Sequence, residues 1–206
     1  MITGPQIIRT DLPPLYVEGS ILPRDSKAVA IVGSRIPTKY GLKVAYDFAF
    51  FLAQNGVTII SGLARGIDTA AHNGALDGNG RTIAVFGSGL DIIYPYENKD
   101  LSEKITKFGA LVSPFVYGTK PLGVNFLGRN KIIAMLSKVV LIVEGAKRSG
   151  TLSTAASAAN LGIEVFAIPG PVDSETSYAP NYLIQNGARV AQSPRDILDY
   201  INEIEG

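Results

Sequence analysis

The sequence predicts an α/β fold, a Rossmann-like, doubly wound and mostly parallel sheet with helices on both faces. Two observations carry this. Short β-branched runs alternate with amphipathic helical stretches, the pattern of βαβ units on a parallel sheet. The runs at 28–32 and 139–143 are apolar throughout, as strands covered on both faces are.

Residues 1–27 carry the Pro13-Pro14 break and read as an extended lead-in, so the domain proper is placed at 28–206. The first strand, 28–32, is followed by Thr38, which caps a helix whose apolar positions Val44, Phe48, Phe51 and Leu52 recur at helical spacing. A second strand at 57–60 leads through a glycine turn to a helix over 67–76, and a third strand covers 82–86. A helix over 101–108 precedes a short strand at Leu111 and Val112. The Gly/Pro-rich stretch 117–126 reads as a loop, with a helix over 129–136 behind it. The strand 139–143, an alanine-rich helix over 151–161 and a strand at 165–168 continue the alternation. Helices over 182–185 and 194–204 close it, and there is no internal repeat.

Composition excludes several classes. The chain has 206 residues, long enough for one well-cored domain, with 46% hydrophobic and 18% charged residues. With no cysteine there is no disulfide framework, thiolate metal site or cysteine nucleophile, which suits a reducing cytoplasm. Residues 1–10 lack a basic segment followed by an apolar run, and no apolar run is long enough to cross a membrane. The formal charge is only +1, so a nucleic-acid site has to be a local basic patch.

In a doubly wound sheet, ligands bind outside the carboxyl ends of the strands. Four strand-to-helix junctions stand there: Gly33-Ser34-Arg35, Ser61 to Gly66 with Gly62 and Arg65, Gly87-Ser88-Gly89, and the stretch with Lys147-Arg148-Ser149-Gly150. Glycines let an anion approach bare N–H groups, a following helix N-terminus favours it, and arginines add charge-assisted bonds. Arg35 reads as a phosphate ligand, or else as a structural arginine paired with a carboxylate. A second basic group, Arg129 and Lys131, flanks Asn130, which bonds a base edge or caps the helix. Phe126 beside them is a base-stacking platform or a loop anchor.

No G-x-x-x-x-G-K-[ST] and no G-x-G-x-x-G follows the first strand, which argues against nucleotide hydrolysis and hydride transfer. His72, the single histidine, stands four residues after Asp68, so the two read as a structural pair stiffening the second glycine turn. A Ser61–His72–Asp68 triad lacks the nucleophile elbow it would need. Glu144 ends the central strand and reads as orienting Arg129 or Arg148, or as capping the turn that follows. No metal site and no cofactor are expected.

These residues, in this order, resemble the DNA-processing protein A family, also called Smf. The likeness runs from Pro13-Pro14-Leu15-Tyr16 through Val32-Gly33-Ser34-Arg35, Ser61-Gly62-Leu63-Ala64-Arg65-Gly66-Ile67-Asp68 and Ala71-His72. It continues through Gly89-Leu90-Asp91, Tyr94-Pro95, Phe126, Arg129-Asn130, Arg148-Ser149-Gly150-Thr151, Pro169-Gly170, Leu183-Ile184 and Gly187-Ala188. The resemblance implies a Rossmann-like domain that binds single-stranded DNA, forms a homodimer and loads the RecA recombinase during natural transformation. It gives DNA contacts to Arg35, the Gly33-Ser34 backbone, Phe126 and Arg129, and dimer contacts to the region of Tyr182, Leu183, Ile184 and Val190. Where many members have a basic residue after Tyr-Pro, this chain has Tyr96, so Tyr96 is expected to stack on a base or Lys99 to supply the charge. Pro114 stands where the family has a Glu, and Lys131 where it has a second Arg. Many members also carry an N-terminal helical domain and a C-terminal winged helix.

The expected function is therefore a cytoplasmic, non-enzymatic recombination mediator that binds the DNA backbone. The alternatives are a phosphoribohydrolase-like enzyme on nucleoside monophosphates and a nucleotide-ligand sensor. The enzyme reading is opposed by Arg148-Ser149-Gly150-Thr151-Leu152-Ser153 at the place of a Pro-Gly-Gly-x-Gly-Thr motif.

Overall fold

The computed structural model describes residues 6–8 and 14–205; Pro13 and most of the leader stretch 1–10 lie outside them. The strands are β1 (Gln6–Ile8), β2 (Leu15–Gly19), β3 (Ala28–Val32), β4 (Thr58–Ser61), β5 (Thr82–Val85), β6 (Ala110–Ser113), β7 (Val139–Ile142), β8 (Glu164–Ala167) and β9 (Arg189–Val190). The helices are α1 (Lys39–Gln54), α2 (Ile67–Asp77), α3 (Lys99–Phe108), α4 (Gly123–Met135), α5 (Gly150–Asn160), α6 (Tyr178–Gln185) and α7 (Pro194–Glu205).

Among the described residues one sheet forms in the order β1-β2-β6-β5-β4-β3-β7-β8-β9. From β6 to β9 every pairing is parallel, while β2 adds antiparallel to β6 and β1 to β2. The predicted fold class holds. Its reason is visible in the strand pattern: β3 and β7 are buried at every position, with Val29, Ile31, Val139 and Leu141 facing one layer. Ala30, Val32, Val140 and Ile142 face the other. Helices α1, α2 and α7 cover the first layer with Phe48, Leu52, Ile67, Ala71, Ile197 and Ile201. Helices α4 and α5 cover the second with Ile132, Ile133, Ala155 and Ala158. Each such Val, Leu or Ile, fully buried, contributes about 1.5–3 kcal/mol. No described helix is long and apolar enough to cross a membrane.

Two expectations are corrected. The boundary at 27/28 does not divide the chain, because β2 extends the sheet and Asp25 locks the lead-in to it. Asp25 is buried and accepts from Arg81 Nε at 2.7 Å and Thr58 Oγ1 at 2.8 Å. Burial pushes its carboxyl up, but the bonds from Arg81, Leu22 N–H and Thr58 outweigh burial and hold it below its ordinary value. The stretch 117–126 is not loop to its end either. Helix α4 starts at Gly123 without a side-chain cap, so Phe126 sits on a helix.

Strand β3 lies between β4 and β7. From it the chain crosses by α1 to β4 on one side, and from β7 it crosses by α5 to β8 on the other. The switch point is therefore between the carboxyl ends of β3 and β7, where a crevice opens.

Candidate functional site

That crevice is a cleft of about 720 Å³. Gly33, Ser34 and Arg35 line it from the end of β3, Arg148, Ser149 and Gly150 from the start of α5, and Phe126, Arg129 and Asn130 from α4. The first turn of α5 contributes N–H groups at the positive end of the helix dipole. Its N-cap Ser149 makes no capping bond, and its hydroxyl is buried without a partner. Arg35 is exposed, has no carboxylate partner among the described residues, and lies 5.2 Å from the centre of the Phe126 ring. Of its two readings, pairing with a carboxylate is thereby removed. Arg148 is exposed and likewise unpaired among the described residues. Glu175 brings one carboxylate to the rim.

The second glycine turn is a scaffold. Ser61 is fully buried and donates to Ile31 O at 2.7 Å, so it is closed to a ligand. Arg129 is 4% exposed, and its Nη1 donates to Gly62 O at 2.6 Å and Val85 O at 2.9 Å. A Cβ on residue 62 would overlap that guanidinium, which is why the position is glycine. Asp68 accepts from Gly62 N at 3.1 Å and Ala64 N at 3.3 Å. Burial pushes its carboxyl up, opposed by nearby Arg129 and these N–H groups. Between them Leu63 holds φ 58°, with its carbonyl accepting from Asn98 Nδ2 at 2.8 Å. Arg129 thus gives its Nη1 to backbone, while its buried Nε has no partner and its side chain remains in the cleft wall.

The Asp68–His72 pair does not form. His72 turns toward the sheet and its Nδ1 meets Thr82 Oγ1 at 2.7 Å. Thr82 already donates to Ile59 O at 2.8 Å, so the ring must donate from Nδ1 and leave Nε2 bare and buried. Burial, with Arg129 adding to it, pushes His72 down to about 3. Asp68 stiffens the turn without His72. Glu144 takes neither expected role: its carboxylate accepts from Thr38 N at 2.9 Å and Thr38 Oγ1 at 2.6 Å, securing the cap of α1. Asn130 donates to Gly150 O at 3.2 Å and ties α4 to the start of α5 rather than capping its own helix, and its side chain lines the cleft.

A smaller compartment of about 200 Å³ adjoins the cleft across Arg35 and Phe126. Tyr94, Ile36, Gly62 and Arg65 help to line it. Gly87 admits the Phe126 ring, which a Cβ would meet at 2.6 Å, and Tyr94 packs on that ring at 5.8 Å between centres. Arg65 is held by Glu97 through two bonds of 2.7 and 2.6 Å.

Of the residues expected at the site, Thr38, Ser61, Gly66, Tyr96, Lys99, Lys131 and Lys147 line neither compartment. Thr38 is committed to Glu144, Lys99 pairs with Glu103 at 3.8 Å, and Lys147 lies 5.5 Å over Tyr178. Sequence reasoning assigned nothing to Ile36 or to Tyr94, although the Tyr94-Pro95 pair was in view. Tyr182 and Val190 are exposed, at 45% and 41%, whereas Leu183 and Ile184 pack partly into the chain's own core. Among the described residues no cluster of three or more His, Asp or Glu is placed to hold a metal ion.

A doubly wound sheet with glycine turns, a helix N-terminus and, among the described residues, unpaired arginines at its switch point defines a Rossmann-like protein. The chain belongs to the DNA recombination-mediator protein A family, whose profile matches residues 6–202. It is 47% identical to Protein Smf of Escherichia coli over 95% of this chain and 53% of that protein. It is 42% identical to the DNA processing protein DprA of Streptococcus pneumoniae over 89% of this chain and 65% of that one. The structure of the Streptococcus pneumoniae protein superposes with a TM-score of 0.87 at 41% identity, covering 93% of this chain and 68% of that chain. DNA processing protein A of Helicobacter pylori, described for a unique single-stranded DNA binding mode, superposes with a TM-score of 0.85 at 29% identity, covering 97% and 94%. The chain spans about half the length of the first curated relatives it matches. A molybdenum cofactor binding protein from Rippkaea orientalis shares the fold at 24% identity and a TM-score of 0.60.

Proposed function

We propose that this chain binds the backbone of single-stranded DNA in the switch-point cleft, catalyses no reaction, and acts in the cytoplasm as a homodimer that hands the strand to the RecA recombinase during natural transformation. The observation that carries the binding reading is Arg35, unpaired and stacked near Phe126 beside the uncapped first turn of α5. A guanidinium, bare N–H groups and a ring offer a strand two phosphate grips and one stacking face. The family and the Helicobacter pylori relative support the choice of ligand. A binding role is supported by the way the reactive candidates are occupied. Ser61 is sealed, His72 bonds Thr82 and Glu144 bonds Thr38, so none of them is set up to attack or to move a proton in the cleft. The dimer rests on the exposed side of Tyr182 and Val190.

A titration of fluorescent oligothymidylate, a duplex of equal length, and nucleoside monophosphates tests the reading. Tightest binding to the single strand with no turnover is expected. Equal or tighter duplex binding, or hydrolysis of a monophosphate, overturns it.

A further inference from the structure

On the α1 side of the sheet edge, between the start of that helix and the segments after β7 and β8, lies a cavity of about 570 Å³. It shares no lining residue with the cleft. Its volume falls within the roughly 300–1,000 Å³ of small-molecule sites. Val143, Ile168, Pro169 and Pro171 make its wall apolar, and Tyr40, 52% exposed, adds a ring. The one charged group in the lining is Glu144. Glu144 is 5% exposed, yet no Lys, Arg or His pairs with it among the described residues. A buried charge ordinarily has a cation beside it. The N-terminus of α1, worth about half a positive charge, offsets only part of this one. Thr38 N and Thr38 Oγ1 donate one bond to each carboxylate oxygen, so each oxygen keeps a second acceptor position. Gly41 holds the space open, since a Cβ there would meet Glu144 Oε2 at 2.5 Å.

We infer that this cavity binds a small organic cation, an amidinium, guanidinium or primary ammonium on a flat apolar body. The charged head pairs with Glu144, and the body packs on Tyr40, Ile168 and the two prolines. The inference does not rest on the single-strand reading, because the two sites have no lining residue in common. A planar amidinium presents two parallel N–H donors that match the two oxygens of a carboxylate. Head and body are both required: the apolar wall alone would admit any hydrophobe, and the carboxylate selects the charge. The same carboxylate refuses a phosphate, so the cavity and the cleft take ligands of opposite sign.

The test is a protein-observed NMR titration with benzamidine and with benzamide, which has the same flat shape and no charge. The wild type should prefer benzamidine by about 10- to 150-fold, the worth of a hydrogen bond to a charged group. Tyr40→Ala, at an exposed position, should melt with the wild type and weaken benzamidine by about 2- to 12-fold, the range of a lost aromatic contact. In a folded Glu144→Gln protein the preference should fall toward one. Glu175→Gln, which removes the carboxylate at the rim of the cleft, should leave it unchanged. Equal binding of the two probes by the wild type, or binding of neither at millimolar concentration, overturns the inference. So does a preference that survives in folded Glu144→Gln, and so does one lost in Glu175→Gln, which would put the cation in the cleft. Where Glu144→Gln does not fold, the wild-type ratio and Tyr40→Ala decide: full benzamidine affinity in Tyr40→Ala sinks the site.

Discussion

Replacing Arg35 by Ala removes one of two cations in the cleft that are unpaired among the described residues, the other being Arg148. Arg65 is neutralised by Glu97, and Arg129 is engaged by two carbonyls beside Asp68, so neither is counted as free. Two phosphate contacts on single-stranded DNA give a salt slope of about −1.4, at about 0.7 per contact. Binding should then weaken about 7-fold per protomer between 50 and 200 mM salt, which are the working concentrations of such a series. Arg35→Ala should halve the slope to about −0.7 and weaken binding at fixed salt by about 10- to 150-fold, the worth of one hydrogen bond to a charged group. Arg35→Lys should recover the slope without recovering the affinity, because an ammonium reproduces neither the bidentate fork nor the contact with Phe126. Stability should change by less than about 0.5 kcal/mol, since Arg35 is exposed and has no carboxylate partner. Fluorescence anisotropy with a labelled oligothymidylate across a salt series, alongside thermal melts, reads all three. A folded Arg35→Ala protein with wild-type slope and affinity would refute the reasoning and move the site elsewhere.

Acid should destabilise the fold through His72. The unfolded chain takes up its proton near 6.5 and the folded one only near 3, so stability rises with pH across that window and is lost as pH falls through it. Between pH 7 and pH 5 the wild type should lose about 2 kcal/mol more than His72→Gln in urea unfolding, a difference that cancels Asp68 and other shared groups. Equal losses would mean that His72 is charged in the fold. For the proposed dimer, Val190→Glu places a charge on exposed apolar surface without touching the core, and light scattering should show the mass halved. Ile184→Glu is the poorer probe, because Ile184 also packs inward.

What was legible in the sequence was whatever local pattern determines. The run 139–142 could be read as a central strand because a strand covered on both faces has no polar alternation to hide it. Arg35 could be placed at the sheet edge because it follows β3 through a glycine turn. The start of α4 could not: Gly123 after Leu122 offers no capping side chain, so the helix has no sequence signal there and Phe126 reads as loop. Strand β9, two residues long, is too short for any period. The rule that residues four apart share a helix face brought Asp68 and His72 together only nominally, since one turns to the glycine turn and the other to Thr82. Nor does a sequence distinguish a buried arginine from a free one, and that distinction separates Arg129 from Arg35.

That separation also accounts for how a chain with a net charge of +1 can present the proposed anion site. The relevant quantity is the number of cations without partners at one edge, and the fold sets it by occupying the others. Arg129 is taken out of circulation to hold Leu63 at φ 58°, a left-handed conformation that costs a non-glycine residue on the order of 1–3 kcal/mol. The restraint is threefold: Arg129 on the Gly62 carbonyl, Asp68 on the Gly62 and Ala64 N–H groups, and Asn98 on the Leu63 carbonyl. The same Arg129 guanidinium lies 5.7 Å from the centre of the Phe126 ring, and the Arg35 guanidinium lies 5.2 Å from it. The strained turn, the ring and the free guanidinium therefore form one packed unit. In the proposed binding the restrained turn and the ring are in place beforehand, so binding need not supply the free energy to assemble them.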